Sequence, residues 1–394
     1  MSIDFQNLRQ QIIAMGENAR LREIRLQEVR EKARNLLESN AENVEGLRQK
    51  VERVVRLHDP ALRCAKPASE VLNAAFSLPP HPDTATIISA DGSQIYPDRH
   101  SEVIYSLINV GGVKMLRGSA DSPSILVSSE LLYDEDAGLD TMAFTEAALA
   151  LMRDLNERTM LGELAQQADP PIITFTDGPM ELWGARDPQM ASQFQKSLAE
   201  YLEALNRLCL QGVITAGYID KPMANLVVRL LEVADLEESE LAEINKKHPL
   251  RGVTDLFLFR ALLKPGERSA VFEFQSQGAP YYQDDLALHF FYLNVGRHRR
   301  SSLARVEIPA WVAHNPEMID HLHAALVDQC RIMGVRPYPY LLHRAHEVAL
   351  VSMLEKEQVT QMITAELLRR GVAVGERSNK QFAKDQSGSK RYKR

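Results

Sequence analysis

In "ATIISADGSQ" (residues 85–94) and "PPIITFTDGP" (residues 170–179), a run of β-branched and apolar residues leads into Asp-Gly, at Asp91-Gly92 and Asp177-Gly178. Asp-Gly is a frequent turn dipeptide, so each aspartate reads either as a turn residue or as a carboxylate presented at a strand end. In α/β sheets ligands bind beyond the carboxyl ends of the strands, and two such strands can bring Asp91 and Asp177 to one rim. Two close carboxylates repel each other unless a cation lies between them, which points to divalent-metal chemistry.

Three further segments carry matching groups. "VITAGYIDKP" (residues 213–222) is a strand running into Asp220-Lys221-Pro222, with a helix expected over 222–233. Lys221 reads as a point charge for a phosphate or an attacking water, or as an exposed lysine ahead of a helix. In "GVRPYPYLLHRAHEVA" (residues 334–349), Tyr338 lies in a proline-stiffened stretch and His346 on the helix after it. Imidazole can ligate a divalent metal or move a proton near neutral pH, and it can equally be structural. The helix at 141–167 places Glu146, Arg153 and Glu157 on one face, and any of its glutamates either reaches the rim or faces solvent. Arg297, His298, Arg299 and Arg300 form a basic cluster before a strand on which Arg305 and Glu307 share a face; the arginines suit phosphates, or the cluster is a solvated turn.

These residues need elements to position them. Phe5, Leu8, Ile12, Met15 and Ala19, then Leu26, Val29, Ala33 and Leu36, recur at three- and four-residue steps. That seam predicts a coiled-coil-like helix, with a break at 40–43 and a second helix carrying Val44, Leu47, Val51 and Val54. The pair is either a dimerising arm or two helices packed on the body. Strands are expected at "TATIISA", "EVIYSLINVGGVKML", "SILVSS", "PIITFT", "GVITAGYI", "LFLFRALL", "SAVFEF", "LALHFFYLNV" and "LARVEIPAWV", and further helices at 188–209, 316–333 and 343–370. Consecutive strands followed by alternating elements predict an α/β body that opens on antiparallel hairpins.

With 394 residues the chain can bury one large core or two. Its net charge of −7 argues against a protein that coats nucleic acid over its whole surface, while leaving room for a local basic groove. Cys64, Cys209 and Cys330 are far apart and lack metal-site spacing. No apolar run reaches the ~18–20 residues of a membrane span, and the N-terminus lacks a signal peptide's apolar centre, so a cytoplasmic protein without membrane partners is expected. The "RSNKQFAKDQSGSKRYKR" end reads as a disordered basic tail.

Taken in order, "IISADGS", "ITFTDGP", "YIDKP", "LARVEIP" and "PYPYLLHRAHE" resemble the signature blocks of the NurA domain family. The resemblance implies an α/β, ribonuclease-H-like mixed sheet flanked by helices. With the helical arm at 1–65 and the tail at 373–394, features that depart from shorter members, it places the nuclease domain at 80–372. It implies a metal-dependent deoxyribonuclease, using Mn²⁺ or Mg²⁺, that degrades DNA ends 5′ to 3′ and cuts single strands internally. Members are dimers that work in end resection with a hexameric HerA-type helicase-translocase. Carried over, Asp91 and Asp177 are central metal ligands, and Lys221, Tyr338 and His346 are active-site residues, His346 also a ligand. The family's helix glutamate falls on Glu157, with Glu163 as the alternative, and Arg297, Arg299, Arg300 and Arg305 are expected to contact DNA. Two other readings are a catalytically silent DNA- or partner-binding scaffold and a phosphatase with Asp91 as nucleophile. The "DGSQ" context lacks the second aspartate that such phosphatases usually carry.

Overall fold

The computed structural model describes residues 3–98, 101–133, 145–182, 191–297 and 300–374. Along the chain come α1 (Phe5–Ser39), α2 (Val44–Leu57), β1 (Cys64–Pro67), β2 (Ala75–Phe76), β3 (Ala85–Ile95), β4 (Ser106–Arg117) and β5 (Ser124–Leu132). They are followed by α3 (Glu146–Ala165), β6 (Ile172–Asp177), α4 (Ala191–Leu210), β7 (Ile214–Asp220), α5 (Leu226–Asp235) and α6 (Asp255–Leu262). The last elements are β8 (Arg268–Ser269), β9 (Phe272–Gln275), β10 (Leu288–Asn294), β11 (Leu303–Pro309), α7 (Ala310–Ala313), α8 (Pro316–Ile332), α9 (Tyr340–Ala349) and α10 (Met353–Arg369). The fold is mixed α/β, with helices flanking mixed sheet. The chain divides into a first unit (Met1–His81, Gly178–Glu181, Thr215–Pro339) and a second (Pro82–Asp177, Leu182–Ile214, Tyr340–Arg394).

In the second unit β3, β4 and β5 form an antiparallel meander, and after α3 the chain returns as β6, parallel to β3. Three antiparallel strands, a helix and a strand parallel to the first is a ribonuclease-H-like order. Ile87, Ile88 and Ala90 are fully buried, as expected for a strand covered on both faces. The Gly111-Gly112 pair on β4 admits a helix on each face, since successive residues point to opposite sides. A Cβ on Gly111 would lie 2.7 Å from the Ala349 nitrogen of α9, and one on Gly112 would lie 2.6 Å from Leu164 Cδ1 of α3. The helix expected over 343–370 is two helices, because Ser352 caps α10 in a reciprocal box with Glu355. Val359, Ile363 and Leu367 of α10 then cover the cluster of Ile95, Val103, Tyr105 and Leu107.

In the first unit the expected helical pair forms α1 and α2. Leu47, Val51 and Val54 of α2 are buried, as are Ala33 and Leu37 of α1, while Phe5, Leu8, Ile12 and Met15 are exposed. The strand order β1-β9-β10-β11-β7 is antiparallel throughout. "LFLFRALL", expected as a strand, is instead mostly α6, which buries Leu258 and Phe259. An eight-residue apolar run does not distinguish strand from buried helix by periodicity. Nor does α5 begin at Pro222. Its start is set from outside the local sequence: Asp255 accepts the Val227 and Val228 amides at 3.0 and 2.8 Å, capping the helix at Leu226. Among the described residues no helix is long and apolar enough to cross a membrane. Of the expected tail at 373–394, residues 375–394 lie outside the described residues.

Candidate active site

β3 does not break at Asp91. It runs on to Ile95, pairing Asp91 with Gly111 and Gly92 with Val110. The turn reading of Asp-Gly therefore fails here, and the glycine serves clearance: a Cβ on Gly92 would lie 2.5 Å from Arg153 Cγ and 2.9 Å from Glu157 Oε1. Helix α3 crosses the strand at the one residue that has no side chain to block it. At the second Asp-Gly the strand does end. β6 stops at Asp177, and Gly178 takes the left-handed conformation, φ 92°.

Asp91 shares its face with Gly111 and hence with α9. Its Oδ2 accepts the Nδ1–H of His346 at 2.7 Å, with 17% of the Asp91 side chain and 61% of the His346 side chain exposed. The end of α9 is pinned by hydrogen bonds from Ser93 Oγ (2.6 Å) and Asn109 Nδ2 (2.7 Å) to the Ala349 carbonyl, which fixes where the helix presents His346. Ala90 pairs with Thr176, so Asp91 and Asp177 are one register step further on, facing the same way on strands roughly 4.8 Å apart. Asp177 is exposed.

Glu157 approaches from the α3 face and is 6% exposed. Burial, then the neighbouring Asp154, hold its carboxyl well above the usual range, and Arg153 only partly offsets them. The Arg153 guanidinium reaches Asp154 Oδ1 at 2.7 Å, Gln94 Oε1 at 3.2 Å and Glu157 Oε1 at 3.4 Å. The two faces can meet around β3 because β6 ends at Asp177 while β3 continues beyond it. Glu163 lines a different cleft, with Ser128, Glu130 and Asn156. Gln94 and Asp154 were not singled out from the sequence. Gln94 could have been found by alternation, two residues after Gly92 on the same face.

Lys221 and Tyr338 belong to the first unit. Lys221 follows β7 with φ 45°, its side chain 75% exposed and its ammonium 3.7 Å from Asp220. Tyr338 packs edge-on against Tyr218, ring centroids 5.7 Å apart. Arg305 is not a surface residue. It is 7% exposed and its Nη2 donates to Glu307 at 2.8 Å, so its charge is committed inside the unit. Arg297 and Arg300 are exposed in the β10–β11 connection, Arg297 donating to the Arg331 carbonyl, and Arg299 lies outside the described residues.

Oxygen donors from Asp91, Asp177 and Glu157 with the His346 imidazole are the donor types that hard divalent cations and Mn²⁺ take. By type the residues fit such an ion. Among the described residues no three His, Cys, Asp or Glu side chains converge into a ready-made cage, so a bound ion would need Glu157 to turn from Arg153.

Carboxylates and an imidazole carried on elements around one strand are the kinds of group that cation-assisted phosphodiester hydrolysis uses. The NurA domain family matches residues 85–351, more than half of the chain, and the chain belongs to that family; the membership supports a nuclease. Similar solved structures include the NurA nuclease from Sulfolobus solfataricus, at 11% identity and TM-score 0.45, covering 75% of this chain and 88% of that one. Endonuclease V of Ciona intestinalis in complex with DNA aligns at 8% identity and TM-score 0.31 over 81% of this chain and 99% of that one. Drosophila Piwi aligns at 10% identity and TM-score 0.28 over 67% and 29%. No curated protein matches the sequence.

Proposed function

We propose that this protein is a Mn²⁺- or Mg²⁺-dependent deoxyribonuclease that processes DNA ends, as a 5′ to 3′ exonuclease and single-strand endonuclease. It acts in the cytoplasm as a homodimer with a HerA-type helicase-translocase during double-strand-break repair. The observation that carries the reading is the 2.7 Å hydrogen bond between Asp91 and His346 beside the exposed Asp177, in a member of the NurA family. Asp91, Asp177, Glu157 and His346 would hold the ion, which supplies Lewis acidity at phosphorus and a more acidic water when bound. With Nδ1 donating to Asp91, His346 keeps Nε2 and its lone pair free to ligate or to take a proton. Lys221 offers its ammonium to a phosphate oxygen, and Tyr338 is the active-site tyrosine. Exposed Arg297 and Arg300, with Arg299, grip the DNA backbone.

The test is cleavage of end-labelled single- and double-stranded DNA with Mn²⁺, Mg²⁺ or EDTA, run beside Asp91→Ala. Metal-dependent products that fall at least about a hundredfold in a folded variant are expected. Equal rates in parent and variant would sink the assignment. One observation favours a second reading, a silent DNA-binding scaffold: no three ligating groups converge among the described residues. It predicts DNA binding that needs no cation and no product with any.

A further inference from the structure

Arg153 occupies the place where the carboxylate cluster needs positive charge. Its guanidinium touches Asp154 at 2.7 Å and Glu157 at 3.4 Å and is anchored by Gln94 at 3.2 Å, and its stem lies across Gly92, beside Asp91. Glu157 is almost fully buried, while 31% of the Arg153 side chain is exposed. The carboxylate is therefore enclosed and its counter-charge can leave. A buried carboxylate with a removable guanidinium is held in a stable metal-free state that a divalent ion must displace.

We propose that Arg153 is a positioning residue that stands in for the cation: it holds Glu157 while the site is empty and yields it when a divalent metal binds, setting how tightly the metal is held. The inference rests on the reading of Glu157 as a metal ligand. It is consistent with the absence of a converged three-ligand group among the described residues, since Glu157 lies at ion-pair distance from Arg153. It also gives the strand-crossing at Gly92 a purpose, because a side chain there would push the guanidinium off Glu157.

The test measures Mn²⁺ binding by calorimetry on full-length protein without DNA, so no turnover enters the readout. Arg153→Met keeps the apolar stem and removes the competing charge, and should tighten Mn²⁺ binding about tenfold. The same variant should melt lower without metal and gain more from added Mn²⁺ than the parent does. Arg153→Lys should bind Mn²⁺ close to the parent level. Lys196→Met, an exposed charge on α4, should leave the affinity unchanged. If Arg153 merely props up the helix, its loss misplaces Glu157 and binding weakens; unchanged or weaker binding in Arg153→Met overturns the inference alone. A parent that binds no Mn²⁺ at millimolar concentration overturns the metal-nuclease reading and this inference together.

Discussion

In the first unit, Asp255 is completely buried and accepts three hydrogen bonds, from the Val227 and Val228 amides and from Tyr292 Oη at 2.6 Å. On the neighbouring strand, directly opposite Tyr292, Arg305 donates to Glu307, whose other oxygen accepts the Met180 amide at 2.8 Å. In the second unit, Asp91 accepts from an imidazole 61% exposed, and Glu157 has a guanidinium at 3.4 Å. Both regions concentrate charge next to strands, yet only the first saturates it. A saturated network has nothing left to offer a ligand, so its residues serve the fold. An unsaturated cluster with exposed partners is stable enough to persist and open enough to bind, which is what a cation site requires.

The largest expected effect tests the saturated side. Asp255→Ala leaves two helix amides without partners and takes away the acceptor of the Tyr292 hydroxyl in a dry interior, and should destabilise the protein by about 3–5 kcal/mol. Urea unfolding measures it. A loss no greater than that of an ordinary surface substitution would erase the distinction between the two regions.

Next comes a pH test in the same unit. His323 is fully buried, and burial, with Arg268 nearby, pushes its imidazole down to about 4 although it donates to the Gly266 carbonyl at 2.7 Å. The folded state keeps this ring neutral while the unfolded chain protonates it near 6.5, so its contribution is present above 6.5 and is lost as the pH falls toward 4. His323→Gln should therefore gain about 3 kcal/mol relative to the parent between pH 7 and pH 4. Asp255, lifted to about 6 by burial, titrates in the opposite sense, favouring the fold below that value. That contribution is common to both proteins and cancels in the difference. A gap that stays constant with pH would show that His323 is not held neutral.

Local grammar in the sequence conveyed much of the fold. The seam steps gave α1 and α2, and the i,i+4 spacing of Arg153 and Glu157 put them on one face, where they meet at 3.4 Å. The losses share one cause, contacts between residues distant in sequence. Arg305 and Glu307 do share a strand face, but nothing local reveals that the face is buried. The start of α5 is set by Asp255, some thirty residues downstream. Asp91-Gly92 and Asp177-Gly178 are the same dipeptide after the same kind of run, and only the second is a strand end. What separates them is α3 lying on Gly92, a crowding that no window of sequence contains.

That crowding supplies the smallest prediction and the sharpest, because it acts on the open cluster without removing any of its charges. Gly92→Ala places a methyl group 2.5 Å from Arg153 Cγ and 2.9 Å from Glu157 Oε1. The alanine suits an extended strand, so a turn-based role for the glycine predicts little change or a slight gain in stability. Overpacking against α3 instead predicts a loss of about 1–3 kcal/mol. Part of this strain can be relieved by swinging Arg153 outward, since 31% of its side chain is already exposed. Thermal melts of the metal-free variant with and without Mn²⁺ separate the two roles: a lower midpoint that Mn²⁺ restores more than in the parent marks α3 and Arg153 as the displaced elements. An unchanged midpoint would return Gly92 to the status of an ordinary strand residue and remove the physical link between Asp91 and Glu157.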